Sequence, residues 1–245
     1  MGAASRYENS AAAYDVLHAA RGKDYRREAA VVVDRIRRYL PGAGSILDVA
    51  CGTGLHLAAF AELGFDVEGV DLSGSMIDEA RRRVPGAVLH QGDMRTFRLA
   101  RRFDAVVCLF SSIGYMRTRA ELATALTTMA DHLVDGGVLV VEPWLQPDNW
   151  HDGRVFAEGA EAGGLAVARV SRSWREGDES LIEMHYALAC SDRTWSFTEV
   201  HRMGLMTTAT QLEVYRDVGL VVEHEHPGLT DRGLFVAVKR PQATT

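Results

Sequence analysis

The stretch Ile46-Leu47-Asp48-Val49-Ala50-Cys51-Gly52-Thr53-Gly54 decides the fold. It passes from apolar, strand-forming residues into a tight glycine turn, and residues 55–63 continue with helical apolar spacing. A second strand-like run, residues 66–70, ends on Asp71, seventeen positions beyond Gly54. A strand, a glycine turn, a helix and an acidic strand end together form a nucleoside-binding βαβ unit, whose terminal acid can accept ribose hydroxyls. Glycine suits such a turn because a Cβ would clash where ligand and backbone approach closely.

Working outward, apolar runs alternate with helical patterns through residue 142, which predicts a mostly parallel sheet. The expected strands are 45–49, 65–70, 87–91, 103–109 and 138–142, the last entered through Asp135-Gly136-Gly137. Helices are expected at 25–40, 55–63, 76–83 and 120–133. After Glu142 the pattern changes. A proline-punctuated loop, 143–148, leads to three period-two runs at 165–175, 181–189 and 195–206, read as an antiparallel meander. A helix at 208–218 and strands at 220–224 and 234–239 close the chain.

The predicted fold is therefore α/β. A Rossmann-like, seven-stranded, mostly parallel sheet carries an antiparallel cap inserted after the fifth strand. Residues 1–142 form an N-terminal segment and cofactor-binding core, 143–206 the cap, and 207–245 the helix and last two strands of the core. Ligands of such sheets bind at the carboxyl ends of the parallel strands, so this cap covers the site.

The chain has 245 residues, 47% of them apolar, enough for one substantial core. Its net charge of −6 argues against a general nucleic-acid binder. No apolar run approaches the ~20 residues that span a bilayer, and residues 1–9 hold no apolar secretion core, so a cytoplasmic location is the expectation. Cys51, Cys108 and Cys190 lie far apart in or beside apolar runs and read as buried free thiols. Without a CxxC pair or an HExxH helix, no metal site is expected.

The glycine turn fails the dinucleotide pattern in both frames: position six is Leu57 counted from Gly52 and Leu55 counted from Ala50. No basic residue stands in the turn to hold phosphate. An uncharged or zwitterionic nucleoside such as S-adenosyl-L-methionine fits better. Asp93, after the third strand, can accept from an adenine amino group while Met94 packs on the ring; Asp93 alone also suits a turn or helix cap. Asp71, followed by Leu72-Ser73, admits the same second reading. Asp48, Gly52, Gly54, Asp71 and Asp93 together are more specific than any one of them.

ILDVACGTG, VDLS, GDMR and FDAVVCLFSSIGY resemble, in that order, the motifs of class I S-adenosylmethionine-dependent methyltransferases, whose usual first glycine is Ala50 here. RGKDYRREAA, FSSIGY, VVEPW, EAGG with ARVSRSWREGDE, and RGLF resemble the sugar N,N-dimethyltransferases of macrolide pathways. Those enzymes dimethylate the 3-amino group of a dTDP-linked deoxyamino sugar, as in desosamine or mycaminose biosynthesis, and the resemblance points to a homodimer.

That resemblance assigns candidate roles. Tyr14, in the segment that folds over the cofactor, and Tyr115, after the fourth strand, are candidates to orient the amine without an obligatory base; Tyr14 equally suits packing beside Val16 and Leu17. Tyr115 is preferred as an orienter because an ordinary phenol titrates near ~10. Lys23 and Tyr25 are candidates for the methionine end of the cofactor, and Leu109 and Phe110 for its lining; a solvated lysine and plain core residues are the alternatives. Arg169, Ser171, Ser173 and Arg175 share one strand face that can donate to a diphosphate, with Arg232 as a second source. Trp144 and Trp150 suit stacking on thymine or sugar, and Glu142 a bond to sugar or amine. His201 is a loose candidate for touching substrate, and His224 and His226 read as exposed. Other small-molecule methyl acceptors, a nicotinamide-dependent oxidoreductase and a catalytically silent binding module stand as competing readings, the oxidoreductase weakened by the missing glycine and the lack of a Tyr-x-x-x-Lys pair.

Overall fold

The computed structural model describes residues 11–241. Its seven-stranded sheet has the order β10-β11-β5-β4-β1-β2-β3. These strands are β1 (Ser45–Val49), β2 (Asp66–Asp71), β3 (Val88–Gln91), β4 (Phe103–Cys108), β5 (Leu133–Val141), β10 (Leu220–Glu225) and β11 (Leu234–Lys239). β11 is antiparallel to both its neighbours, whereas the pairings from β5 through β3 are parallel. From β1 the chain winds to one side through β2 and β3, then returns to build β4 and β5 on the other. The crevice between β1 and β4 is therefore the switch point where open α/β sheets bind ligands.

Six helices lie among the described residues: α1 (Ala11–Ala20), α2 (Tyr25–Tyr39), α3 (Leu55–Glu62), α4 (Gly74–Arg83), α5 (Arg119–Asp131) and α6 (Thr208–Asp217). Helix α2 buries Ala29, Val32, Val33 and Ile36, the apolar stripe of a surface helix. Its start is capped by Asp24, which accepts from the Arg27 amide at 2.9 Å. Ser73, Thr118 and Thr207 cap α4, α5 and α6 in the same way. Helices α2, α3 and α4 share one buried cluster on the sheet with Ile46, Ala105 and Val138, and α5 and α6 share another with Leu47, Val106 and Leu139.

The second sheet is antiparallel, in the order β6-β7-β8-β9, built from β6 (Val155–Ala162), β7 (Leu165–Glu176), β8 (Glu179–Ala189) and β9 (Thr194–Gly204). Three of these strands are the predicted meander. The fourth, β6, escaped sequence reading because Gly159 and its alanines blur the alternation and most of its residues are exposed. For helix α1 the sequence implies only a covering segment. It packs Ala13 and Leu17 against Val167, Met184 and Leu188 of the cap.

The fifth strand starts at Leu133, five residues earlier than expected, and α5 stops at Asp131. Asp135-Gly136-Gly137 is a bulge inside the strand: the β4–β5 register shifts between Phe103 and Ala105, and Gly136 takes φ 79°. No helix among the described residues is long and apolar enough to cross a membrane.

The cap meets the core closely at Gly204, where a Cβ would stand 2.8 Å from the Arg117 Cα and 3.0 Å from its carbonyl oxygen. Both are backbone atoms and cannot swing aside. Gly204→Ala is expected to cost about 1–3 kcal/mol. Thermal unfolding should show it as a melting point lower by roughly 2–4 °C per kcal/mol; an unchanged melting point would mean that the two layers separate freely there.

Candidate active site

Three connected hollows open at the carboxyl ends of β1, β2 and β4. The largest, about 520 Å³, lies between the core and the cap. A second of about 290 Å³ runs past Asp71, Leu72, Asp93 and Met94, and a third of about 30 Å³ lies between Tyr25, Asp48 and the Ala50–Thr53 turn. Ala50 and Ser112 border all three, so the turn after β1 and the turn after β4 form their common wall.

The first turn is bent by left-handed residues: Ala50, Gly52 and Gly54 have φ 61°, 56° and 79°. Ala50 holds this conformation at a steric cost that glycine would not incur. Asp71 fastens the turn, accepting from the Gly52 amide at 2.9 Å and from the Ser73 amide at 2.8 Å. Asp71 also borders two of the hollows, where a carboxylate presents acceptor oxygens only. Burial raises the Asp71 carboxyl despite these backbone donors. Burial, and then the Asp71 charge, push Asp48 well above the usual carboxylate range. Two crowded, buried carboxyls make a site that gains from a cationic ligand.

The second turn, Phe110-Ser111, also takes left-handed angles, φ 53° and 64°, at two successive residues with side chains. Such strain persists only where surroundings impose it. Glu142, 0% exposed, accepts from the Phe110 amide at 2.7 Å and from the Thr230 hydroxyl. Ser111 donates to the Pro143 carbonyl at 2.7 Å and accepts from Arg232 at 2.9 Å. Glu142, a sequence candidate for touching substrate, thus clamps the elbow instead of facing the hollow. Arg232 both braces this elbow and lines the large hollow, its guanidinium 5.1 Å from the Trp144 ring centre.

Helix α1 roofs the large hollow. Asp15 accepts from Thr53 at 2.7 Å and pairs with Arg83 at 2.5 Å, latching the helix to the glycine turn and to α4. Tyr14 and His18, one turn apart, meet edge-on at 4.3 Å between centroids, and Phe110 lies 4.8 Å from His18. His18 carried no sequence signal beyond its spacing from Tyr14. It is 6% exposed, and its imidazole is pushed down to about 3 by burial and then by Arg21, Arg169 and Lys23.

Other candidates are placed less directly. Lys23 pairs with Glu28 at 2.6 Å and sits 4.1 Å from the Phe110 ring centre, a brace beneath the roof. Burial raises Glu28, but hydrogen bonds from His56 and Lys23 outweigh it and leave the carboxyl below its ordinary range. Tyr25 borders the smallest hollow, and its buried hydroxyl has no partner among the described residues. Leu109 lines the same hollow. Asp93 is engaged by Arg95, whose guanidinium donates at 2.6 Å and whose amide donates at 2.9 Å; the arginine hydrogen bond holds the carboxyl low.

On the cap, Arg169, Ser171 and Ser173 face the large hollow as their alternation predicts, while Arg175 turns back to the Gly177 carbonyl in its own hairpin. Arg169 pairs with Glu158 at 2.5 Å, yet its buried Nε is unpartnered among the described residues. Trp144 and Trp150 line the same hollow with centroids 6.5 Å apart. Trp144 donates to Ser180 at 2.9 Å and Trp150 to Asp152 at 2.7 Å.

Residues 46–137 match the family described as Methyltransferase domain. The chain is 48% identical to dTDP-3-amino-3,6-dideoxy-alpha-D-glucopyranose N,N-dimethyltransferase of Streptomyces fradiae, over 95% of this chain and 91% of that one. It belongs to the dTDP-amino-sugar N,N-dimethyltransferases. Among solved structures it resembles Streptomyces venezuelae DesVI, with a TM-score of 0.88 and 45% identity over 94% of this chain and 98% of that one. It also resembles SAM-bound CalS10, an amino pentose methyltransferase from Micromonospora echinaspora, with a TM-score of 0.82 and 41% identity over 93% and 96%. The cofactor of this methyltransferase is S-adenosylmethionine, and the hollows fit it. The orphaned Tyr25 hydroxyl would offer the cofactor a donor, the Asp71 carboxylate would offer acceptor oxygens, and Leu72, 43% exposed, would offer apolar surface beside Met94.

The low affinity of His18 for protons has a measurable sign. A native-state value near 3 lies below the ordinary ~6.5, so the native protein resists a proton that the unfolded chain accepts. Stability from this group is complete above pH ~6.5 and is lost as the pH falls toward 3. Carbon-13 NMR should find the His18 ring neutral at pH 5.5, and His18→Gln should flatten the acid side of the melting curve. A His18 that titrates near 6.5 would refute the burial argument.

Proposed function

We propose that this methyltransferase converts the 3-amino group of a dTDP-linked deoxyamino sugar to its N,N-dimethyl form, by two successive in-line transfers, in a macrolide-type pathway such as those leading to desosamine or mycaminose. The observation that carries this reading is the large hollow. One wall is the turn that holds the methyl donor; the opposite wall, 119 positions along the chain from Ala50 to Arg169, presents arginine and serine donors suited to a diphosphate. Trp144 and Trp150 offer surfaces for thymine or sugar between them.

When bound, S-adenosylmethionine supplies an electrophilic methyl group on a sulfonium centre. The chain itself positions and encloses. Asp71 and the glycine turn fix the nucleoside, while Tyr14, His18 and Phe110 close the roof without adding positive charge. Tyr115 and Tyr14 orient the amine. Bringing the two reactants into line accounts for most of the acceleration that such a displacement needs.

We infer a homodimer, built on the outer face of the cap, where Val155 and Val170 are 76% and 55% exposed and β6 leaves an open edge. A cytoplasmic location accords with the free thiols Cys51, Cys108 and Cys190.

Incubation with S-adenosylmethionine and dTDP-3-amino sugar should add two methyl groups by mass spectrometry, and Arg169→Ala should raise KM for the nucleotide sugar roughly tenfold or more while leaving S-adenosylhomocysteine binding intact. Turnover of a 4-amino isomer or a non-nucleotide amine instead, with no turnover of the 3-amino substrate, would overturn the assignment. Light scattering at micromolar concentration should give twice the 26.9 kDa chain mass; the monomer mass would exclude the dimer.

A further inference from the structure

Helix α1 turns one stripe of side chains to the large hollow. Tyr14, His18 and Arg21, four and three positions apart, all border it, with Arg21 just past the helix end. The two ends of the stripe belong to different walls. The large hollow meets the two smaller ones, on the cofactor side, at Tyr14 and Tyr115. Arg21 holds Glu158 at 2.7 Å, and the same carboxylate pairs with Arg169 at 2.5 Å, so the other end of the stripe lies with the arginines of the cap. At about 1.5 Å per residue, the stripe runs roughly 10 Å from one wall to the other, and His18 stands in between.

His18 is buried, yet its ring nitrogens make no hydrogen bond among the described residues. A buried polar group left unpaired is costly, so the hollow it borders must bring its partner. The surroundings of the ring decide which partner fits. Burial, and then Arg21, Arg169 and Lys23, keep the imidazole neutral, with one N–H donor and one acceptor nitrogen. A diphosphate is better served by the arginines, and a ring that resists protonation does not take a proton from an ammonium. A hydroxyl group matches it, because a hydroxyl can donate to one imidazole nitrogen or accept from the other.

We infer that His18 is the residue that recognises the C2 hydroxyl of the amino sugar. The inference rests on the amino-sugar reading and deepens it. In a dTDP-3-amino sugar the diphosphate is attached at C1 and the amine at C3, so C2 is the carbon between them. With the diphosphate at the Arg21 end of the stripe and the amine at the Tyr14 end, the C2 hydroxyl falls at His18. A hydrogen bond there stops the sugar from rolling about the line between its two fixed ends, which keeps the nitrogen lone pair aimed at the methyl donor. A sugar without that hydroxyl strands a buried imidazole and is rejected for it.

Three dTDP-linked 3-amino-6-deoxyhexoses test it: one with hydroxyls at C2 and C4, its 2-deoxy analogue and its 4-deoxy analogue. The parent should use the 2-deoxy sugar with kcat/KM lower by roughly tenfold or more than the fully hydroxylated one. His18→Phe keeps a ring against Phe110 and should lose roughly tenfold or more on the fully hydroxylated and the 4-deoxy sugars alike. On the 2-deoxy sugar it should lose nothing, because residue and hydroxyl act through one contact. Its affinity for S-adenosylhomocysteine should match the parent's. Nitrogen-15 NMR of the parent loaded with S-adenosylhomocysteine should show a His18 ring shift with the fully hydroxylated sugar that the 2-deoxy sugar does not produce, a reading that needs neither turnover nor a folded variant. A parent that neither binds nor methylates any of the three sugars faults the amino-sugar reading, and this inference falls with it. A parent that methylates the fully hydroxylated and 2-deoxy sugars equally well, or a His18→Phe loss of the same size on both, overturns this inference alone.

Discussion

Asp71 accepting the Gly52 amide is the interaction on which the rest of the site depends. It ties the turn after β1 to the end of β2 and fixes a left-handed backbone with no large side chain between protein and ligand. The cost is a buried carboxylate beside a second one, Asp48, both raised by burial. A purely structural turn would avoid that arrangement. A cationic, hydroxyl-rich nucleoside would relieve it, which makes this crowded pair of acids a suitable seat for a sulfonium donor.

The same logic recurs across the switch point. Phe110 and Ser111 adopt angles that few residues with side chains accept, and they do so because Glu142, Pro143, Thr230 and Arg232 converge on them. Four residues from two distant segments of the chain thus hold one elbow, which carries Phe110 and leads into the turn that ends at Tyr115. Helix α1 completes the enclosure. Its apolar face belongs to the cap, while Asp15 belongs to the core, so the roof closes only when both layers are in place.

The alternating apolar pattern made β1 to β5 and the helices between them legible, because periods of two and 3.6 residues record which face is buried. The same rule marked Arg169, Ser171 and Ser173 as neighbours on one cap face. It failed at β6, where glycine and alanine carry no face, and at Asp135-Gly136-Gly137, where a bulge reads like a turn. The sequence offers Asp93 to the adenine and Glu142 to the sugar or amine; their partners in space, the Arg95 guanidinium and the Phe110 amide, leave no trace in it.

The sequence by itself determined the ligand class and the succession of strands along the chain, since a glycine turn of fixed spacing, an acid at the next strand end and apolar alternation are local features. Only the tertiary structure decided which residues keep company with Tyr115. Tyr115 and His201 stand 86 residues apart, and no periodicity links them. The cap must fold back over the sheet before the His201 imidazole on β9 can reach the Tyr115 hydroxyl on the core. Such hydrogen bonds depend on contacts closed in space, and a linear pattern of hydrophobicity holds no record of them.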